Sequence, residues 1–177
     1  HLTLEPVTAE PLGFGGDHFQ PQPFQLGLPA LDLFPRGQWA RVMGHRLRTQ
    51  TRFDLALGDV CGELSLRQAI VEYLRLSRSI ECEAEQVFIT SGYAASMGLI
   101  LQAMEARGEG MWMEDPGFPL IRPVVEQAGV TLHPVVVDED GMDVEWITQH
   151  PTTARFALLT PAHQSPTGVA LSLPRRR

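Results

Sequence analysis

Apolar residues recur at helical spacing in two stretches of the N-terminal half. Trp39, Val42, Met43 and Leu47 fall on one side of a helix predicted over 35–48, with Arg36, Arg41 and Arg46 facing solvent or partners. Leu66, Ala69, Ile70, Tyr73 and Leu74 mark a second helix, whose Arg67, Glu72, Arg75 and Arg78 read as a solvated outer face. Gly58 and Gly62 bracket a loop between the two. The pattern then changes character. Short β-branched or apolar runs at 86–90, 111–114, 130–137 and 156–160 alternate with helical stretches at 94–106, 120–128 and Val144–Gln149. The intervening stretches are long enough for crossovers, so the order βαβαβαβ predicts an α/β fold with three αβα layers around a mainly parallel sheet. Residues 1–31 are rich in proline and glycine with little periodicity, which predicts an extended arm. The expected division is an arm or linker with the first helix over 1–50, and an α/β domain over 51–177.

Composition narrows the class. The 177 residues carry a net charge of −7, with 44% hydrophobic and 20% charged residues, so one globular domain with a real core is expected. An acidic balance leaves no basic face suited to nucleic acid, which excludes direct DNA binding by this segment. No apolar run approaches the roughly 20 residues of a membrane span, and nothing resembles a secretory signal. Cys61 and Cys82 lack metal-ligand spacing, so a cytoplasmic chain with free thiols is expected. Arginine supplies every Lys/Arg-type charge, and lysine is absent.

In parallel α/β sheets ligands sit beyond the carboxyl ends of the strands, and three predicted strands deliver chemistry there. The first runs through Thr90, Ser91, Gly92 and Tyr93 into a helix, whose opening amides and the Ser91 hydroxyl suit a phosphate. The same Ser-Gly pair also serves as an ordinary helix cap. The second ends in Glu114-Asp115-Pro116-Gly117-Phe118-Pro119, a rigid turn that throws one aromatic outward, either to stack on a planar ligand or to cover the helix behind it. The fourth ends in Thr160-Pro161-Ala162-His163-Gln164-Ser165-Pro166-Thr167-Gly168, where two prolines and a glycine stiffen a polar loop. The 138–141 run lacks the spaced ligands of a calcium loop and reads as a turn. His18, His45, His133 and His150 read as surface or satisfied polar residues. Ser172 before Pro174 reads as the N-cap of a helix start, and both ends are expected to be cut from a longer protein.

These turns, in this order, resemble the large domain of fold-type-I pyridoxal-phosphate enzymes, and most closely the aminotransferase-like domain of MocR-type regulators of the GntR superfamily. Further stretches carry the resemblance: Phe24 to Pro29, Leu33-Phe34-Pro35 with Trp39, and Gly58-Asp59 with Gly62, Leu66 and Arg67. It implies that Ser91, Gly92 and Tyr93 cradle the cofactor phosphate, that Phe118 stacks on the pyridine ring, and that His163 and Ser165 lie near the phenolic oxygen. Leu57, Ala94, Ala95 and Ser165 depart from the family pattern, where a tyrosine, a glutamine pair and an asparagine or aromatic are usual. The cofactor-binding lysine, the pyridine-pairing aspartate and the carboxylate-binding arginine come after Pro-Thr-Gly in that family, so this segment is an incomplete catalyst. The resemblance further implies a homodimer, a winged helix-turn-helix upstream that contacts DNA, and a small amine or amino acid as effector. The alternative it leaves open is an aminotransferase acting on amino acids. It also implies that the first predicted strand is separated from the other three, which lie together.

Overall fold

The computed structural model describes residues 28–150 and 152–177. The chain divides into two units, His1–Thr49 and Gln50–Arg177. In the first, a 3-10 turn at Leu31–Leu33 precedes helix α1, Arg36–Thr49, and Phe34 packs on Trp39 with ring centroids 5.8 Å apart. The prediction of an arm over 1–31 lies almost wholly outside the described residues.

The second unit opens with helix α2, Leu64–Arg78, which ends on Ser79 in the left-handed region. Here the helix face is not as the pattern predicts. Arg67 is buried, whereas Leu66 and Tyr73 are exposed and Ile70 and Leu74 are half-buried. The reason lies outside the helix. Arg67 reaches the carbonyls of Gly62 and Ala84 at 3.0 and 2.9 Å and the Asp59 carboxylate at 2.8 Å, so every partner it satisfies belongs to another segment. The Cys61 amide, with the Arg67 charge as a lesser cause, holds the Asp59 carboxyl below the usual range.

The predicted strand 86–90 is a correction too. Ala84–Gln86 is a 3-10 turn closed by a capping box between Glu83 and Gln86, and residues 87–90 run on without a ladder partner. One backbone bond, Ile89 N to Cys61 O at 2.9 Å, ties the segment down. Val87, Phe88 and Ile89 have the side chains of a strand, but a strand forms only against a neighbour. The separation of this segment from the other strands agrees with the expectation drawn above.

Helix α3, Tyr93–Ala103, leads to β1, Gly110–Asp115; then follow α4, Arg122–Gln127, β2, Thr131–Asp138, β3, Gly141–Met142, α5, Val144–Gln149, and β4, Phe156–Leu158. The sheet order is β3-β2-β1-β4. β1 is central and parallel to both β2 and β4, while β2 and β3 form a short antiparallel hairpin. Alternation along β1 sorts the two faces. Met111 and Met113 pack with Met97 and Leu101 of α3, Val125 of α4 and the adjoining Ile121, whereas Trp112 turns toward the cluster of Val135, Met142, Leu171 and Trp146. Helices thus cover both faces, giving the three αβα layers. Each fully buried Val, Ile or Met contributes about 1.5–3 kcal/mol, which makes the α3–β1–α4 layer the mechanical base of everything at the strand ends.

The turn predicted at 138–141 is the β2–β3 hairpin, with Gly141 at φ +94°. It is also an anchor. Arg175 forks onto the Asp138 carboxylate and donates to Gly141 O at 2.9 Å. The Ser172 cap is corrected: the last turn is 3-10, Pro174–Arg176, with Leu173 in the cap position and no side-chain cap bond. The short helix start is replaced by a clamp because Arg175 finds a partner 37 residues away. The Arg175 hydrogen bond is the main reason the Asp138 carboxyl sits below its usual range. A depressed pKa means stability that is present above the ordinary carboxylate value of about 3.9 and lost as pH falls through the folded value. Asp138 is 42% exposed, so the contribution is below about 1 kcal/mol. Arg175→Gln is expected to raise the Asp138 midpoint toward the ordinary value of about 3.9, read from its carboxyl carbon shift in an NMR titration; an unmoved midpoint refutes the clamp.

Candidate functional site

The carboxyl ends of β1 and β4 and the start of α3 meet around a small recess lined by Tyr93, Glu114, Phe118, Leu158 and Thr160, among others. Its volume is about 20 Å³, room for roughly one water. Tyr93 and Phe118, both partly exposed, meet edge to face with centroids 6.1 Å apart and planes at 63°. The phenol of Tyr93 is pushed above its ordinary pKa, chiefly by burial and then by the Glu114 charge.

Gly92 is the N-cap of α3 at φ +137°, a conformation that favours glycine, and nothing lies within 4 Å of where its Cβ would be. Ser91, Gly92, Ala94 and Ala95 are all exposed. No side chain caps this helix start, so its first amides have no capping partner. The Gly92 carbonyl is the group held instead: Ser96 N donates to it at 3.0 Å, and the Thr90 and Ser96 hydroxyls, 2.7 Å apart, both reach it. Thr90 therefore sets the turn into α3, while Ser91 makes no hydrogen bond of its own among the described residues.

The loop after β4 places its predicted residues differently. His163 is exposed at φ +56°, and Ser165 is half-buried ahead of a cis bond to Pro166. Between them Gln164 is the buried residue, 2% exposed. Its Nε2 donates to Pro116 O at 2.7 Å and to Glu114 Oε2 at 3.3 Å, and its Oε1 accepts from Thr167 N and Oγ1 at 3.1 and 2.6 Å. Glu114 is 4% exposed and accepts Thr160 N at 3.0 Å. Tyr93, Phe118, Glu114 and Gln164 are thus joined through a recess wall and a hydrogen-bond network, while His163 points to no partner in that network. Sequence reading missed Glu114, Thr160 and Gln164 as site-building residues. The signal available was their position at strand ends beside Pro116, Pro161 and Pro166. Leu57 is fully exposed.

The open amides, the free Ser91 hydroxyl and the uncrowded Gly92 fit a phosphate, and the half-exposed Phe118 beside them fits a planar ring. Covalent capture of an aldehyde does not fit, since this segment has no lysine. Among the described residues there is no cluster of His, Cys, Asp and Glu that could hold a metal, and no helix long and apolar enough to cross a membrane.

A sheet with β1 between β2 and β4, helices on both faces and polar turns at the strand ends is the core of a fold-type-I aminotransferase large domain. Residues 41–175 match the aminotransferase class I and II family, and the chain belongs to it. It is 32% identical over 153 residues to the probable rhizopine catabolism regulatory protein MocR of Rhizobium meliloti, covering 86% of this chain and 31% of that protein. It is 35% identical over 115 residues to the HTH-type pyridoxine biosynthesis transcriptional regulator PdxR of Corynebacterium glutamicum, covering 65% and 24%. Among solved structures it is similar to the alpha-aminoadipate aminotransferase LysN of Thermus thermophilus, complexed with N-(5'-phosphopyridoxyl)-L-leucine. That match has a TM-score of 0.74 at 26% identity and covers 86% of this chain and 38% of LysN. The chain therefore spans about a third of the length of these relatives.

Proposed function

We propose that this chain forms the phosphate- and ring-facing part of the aminotransferase-like effector domain of a MocR-type transcriptional regulator. The single observation that carries the cofactor reading is the open α3 start beside Phe118 at the carboxyl ends of the parallel strands. Regulators among the relatives support the regulatory half of the reading. Ser91 Oγ and the amides of Gly92 and Tyr93 hold the phosphate of pyridoxal 5'-phosphate, with the helix end adding positive potential. Phe118 stacks on the ring and, with Tyr93, keeps water from its face. His163 and Ser165 border the ring's oxygen side. When bound, the cofactor supplies an electron sink for chemistry at an amine-bearing carbon. In this reading the parent works in the cytoplasm as a homodimer, reads a small amine or amino acid, and contacts DNA through an upstream winged-helix domain. The likeness to LysN, at 26% identity against 32% to MocR, supports a second reading, a part of an aminotransferase acting on amino acids.

Titrating the full-length protein with pyridoxal phosphate tests the cofactor reading. A saturable visible absorption band that borohydride abolishes is expected, and Ser91→Ala is expected to weaken binding about tenfold, the size of one charge-assisted hydrogen bond. No band at saturating cofactor overturns it. Footprinting on upstream DNA, with and without the cofactor, separates regulator from enzyme.

A further inference from the structure

We infer that Gln164 is a positioning residue, whose buried side-chain amide sets the spacing between the turn that carries Phe118 and the loop that carries His163 and Ser165. The inference rests on the cofactor reading of the strand ends and deepens it. The amide has two N–H donors and two acceptor lone pairs, and the structure fills all four. The donors go to one segment, Glu114 and Pro116; the acceptor serves another, Thr167. Gln164 also takes Gly168 N on its own carbonyl and gives its N–H to Val169 O, so its side chain is aimed by a closed turn. Glu114 completes the bridge by accepting Thr160 N, which ties in the end of β4. No ion pair reaches Glu114 among the described residues, so a neutral amide is its partner. An apolar side chain at 164 would fill the same space, yet it would let the turn and the loop slide, since only hydrogen bonds fix direction.

Two isosteric variants of the full-length protein test this. Gln164→Glu sets a second carboxyl against Glu114, and two carboxyls that close share one proton. Amide exchange at Thr160 and Thr167, taken relative to the unstructured chain, is expected to stay within about threefold of wild type near pH 5 and to be about tenfold faster at about pH 8. Wild type shows no such step. The swap, Glu114→Gln with Gln164→Glu, restores one amide and one carboxylate and keeps the acceptors for Thr160 and Thr167, while a carboxylate oxygen replaces the donor to the Pro116 carbonyl. It is expected to recover part of the protection at about pH 8, exchanging about threefold more slowly than the single variant. Pyridoxal phosphate affinity follows the same pH profile in each variant. A wild-type exchange profile in Gln164→Glu, or a swap no better than the single variant, overturns the inference. Because exchange is read without ligand, a wild type that binds no pyridoxal phosphate refutes the cofactor reading, and the exchange profile still decides the role of Gln164.

Discussion

Gly110→Ala is expected to destabilise the α/β unit by about 3 kcal/mol or more, lowering the thermal midpoint by roughly 10 °C. Gly110 opens β1 in the centre of the sheet and is buried. A Cβ there would collide with the Thr153 carbonyl and would sit 2.9 Å from His133 Nε2 and 3.0 Å from Ala154 Cα. Two of these three are backbone atoms of the segment entering β4, and Arg155 N is already bound to Gly110 O at 3.0 Å. Neither side can withdraw without breaking the β1–β4 ladder, which is only three residue pairs long. Gly98→Ala, inside α3 with nothing within 4 Å of its Cβ position, is the matched control. It is expected to stabilise by up to about 1 kcal/mol through helix propensity. Differential scanning calorimetry of both variants decides the matter; equal midpoints would mean that β4 approaches β1 with room to spare.

Arg67→Leu is expected to cost about 2–4 kcal/mol, whereas Arg78→Leu on the exposed end of α2 should stay within about 0.5 kcal/mol. Arg67 holds three segments at once: α2, the 59–62 loop and the Ala84–Gln86 turn. Its removal leaves the Gly62 carbonyl without a donor and the Ala84 carbonyl with Val87 N alone, at 3.2 Å, and an unmet buried acceptor costs about 1–3 kcal/mol. Asp59 is half-exposed and finds water, so it adds little. Gly62 tightens the case: it sits at φ +99°, and Ile89 Cγ1 lies 2.5 Å from its Cβ position, so the loop has one workable path past residues 87–90. Arg67→Lys should recover part of the loss, because one ammonium reaches fewer of the three directions than the guanidinium fork. Urea unfolding of the three variants checks the order; Lys equal to wild type would show that charge alone matters.

Much of the sheet was legible in the pattern of the chain. Runs at 111–114 and 130–137 correspond to β1 and β2 within one residue at each end, and Val144–Gln149 is α5 as read. These segments lie against a hydrophobic layer, so burial imprints its period on the sequence. The run at 120–128 is split into a 3-10 turn, Pro119–Ile121, and a shorter α4, a distinction of hydrogen-bond register that periodicity does not carry. The reading of 86–90 failed for a different reason: composition reports suitability for a strand, and a ladder needs a second strand beside it. Gly92 at the α3 start and the Pro116-Gly117 turn before Phe118 were legible as turns because glycine and proline mark them along the chain. His163 and Ser165 were named where the buried residue is Gln164.

By itself the sequence determined the segments of β1, β2 and α5 and which residue types stand at the turns after them, because these follow from local periodicity and turn chemistry. It determined as well that this segment holds no amine side chain to bind an aldehyde. Only the tertiary structure decided which polar side chains go inside. Arg67 meets Ala84 across 17 residues and Gln164 meets Pro116 across 48, and a polar group is buried only where such distant partners fill its hydrogen bonds.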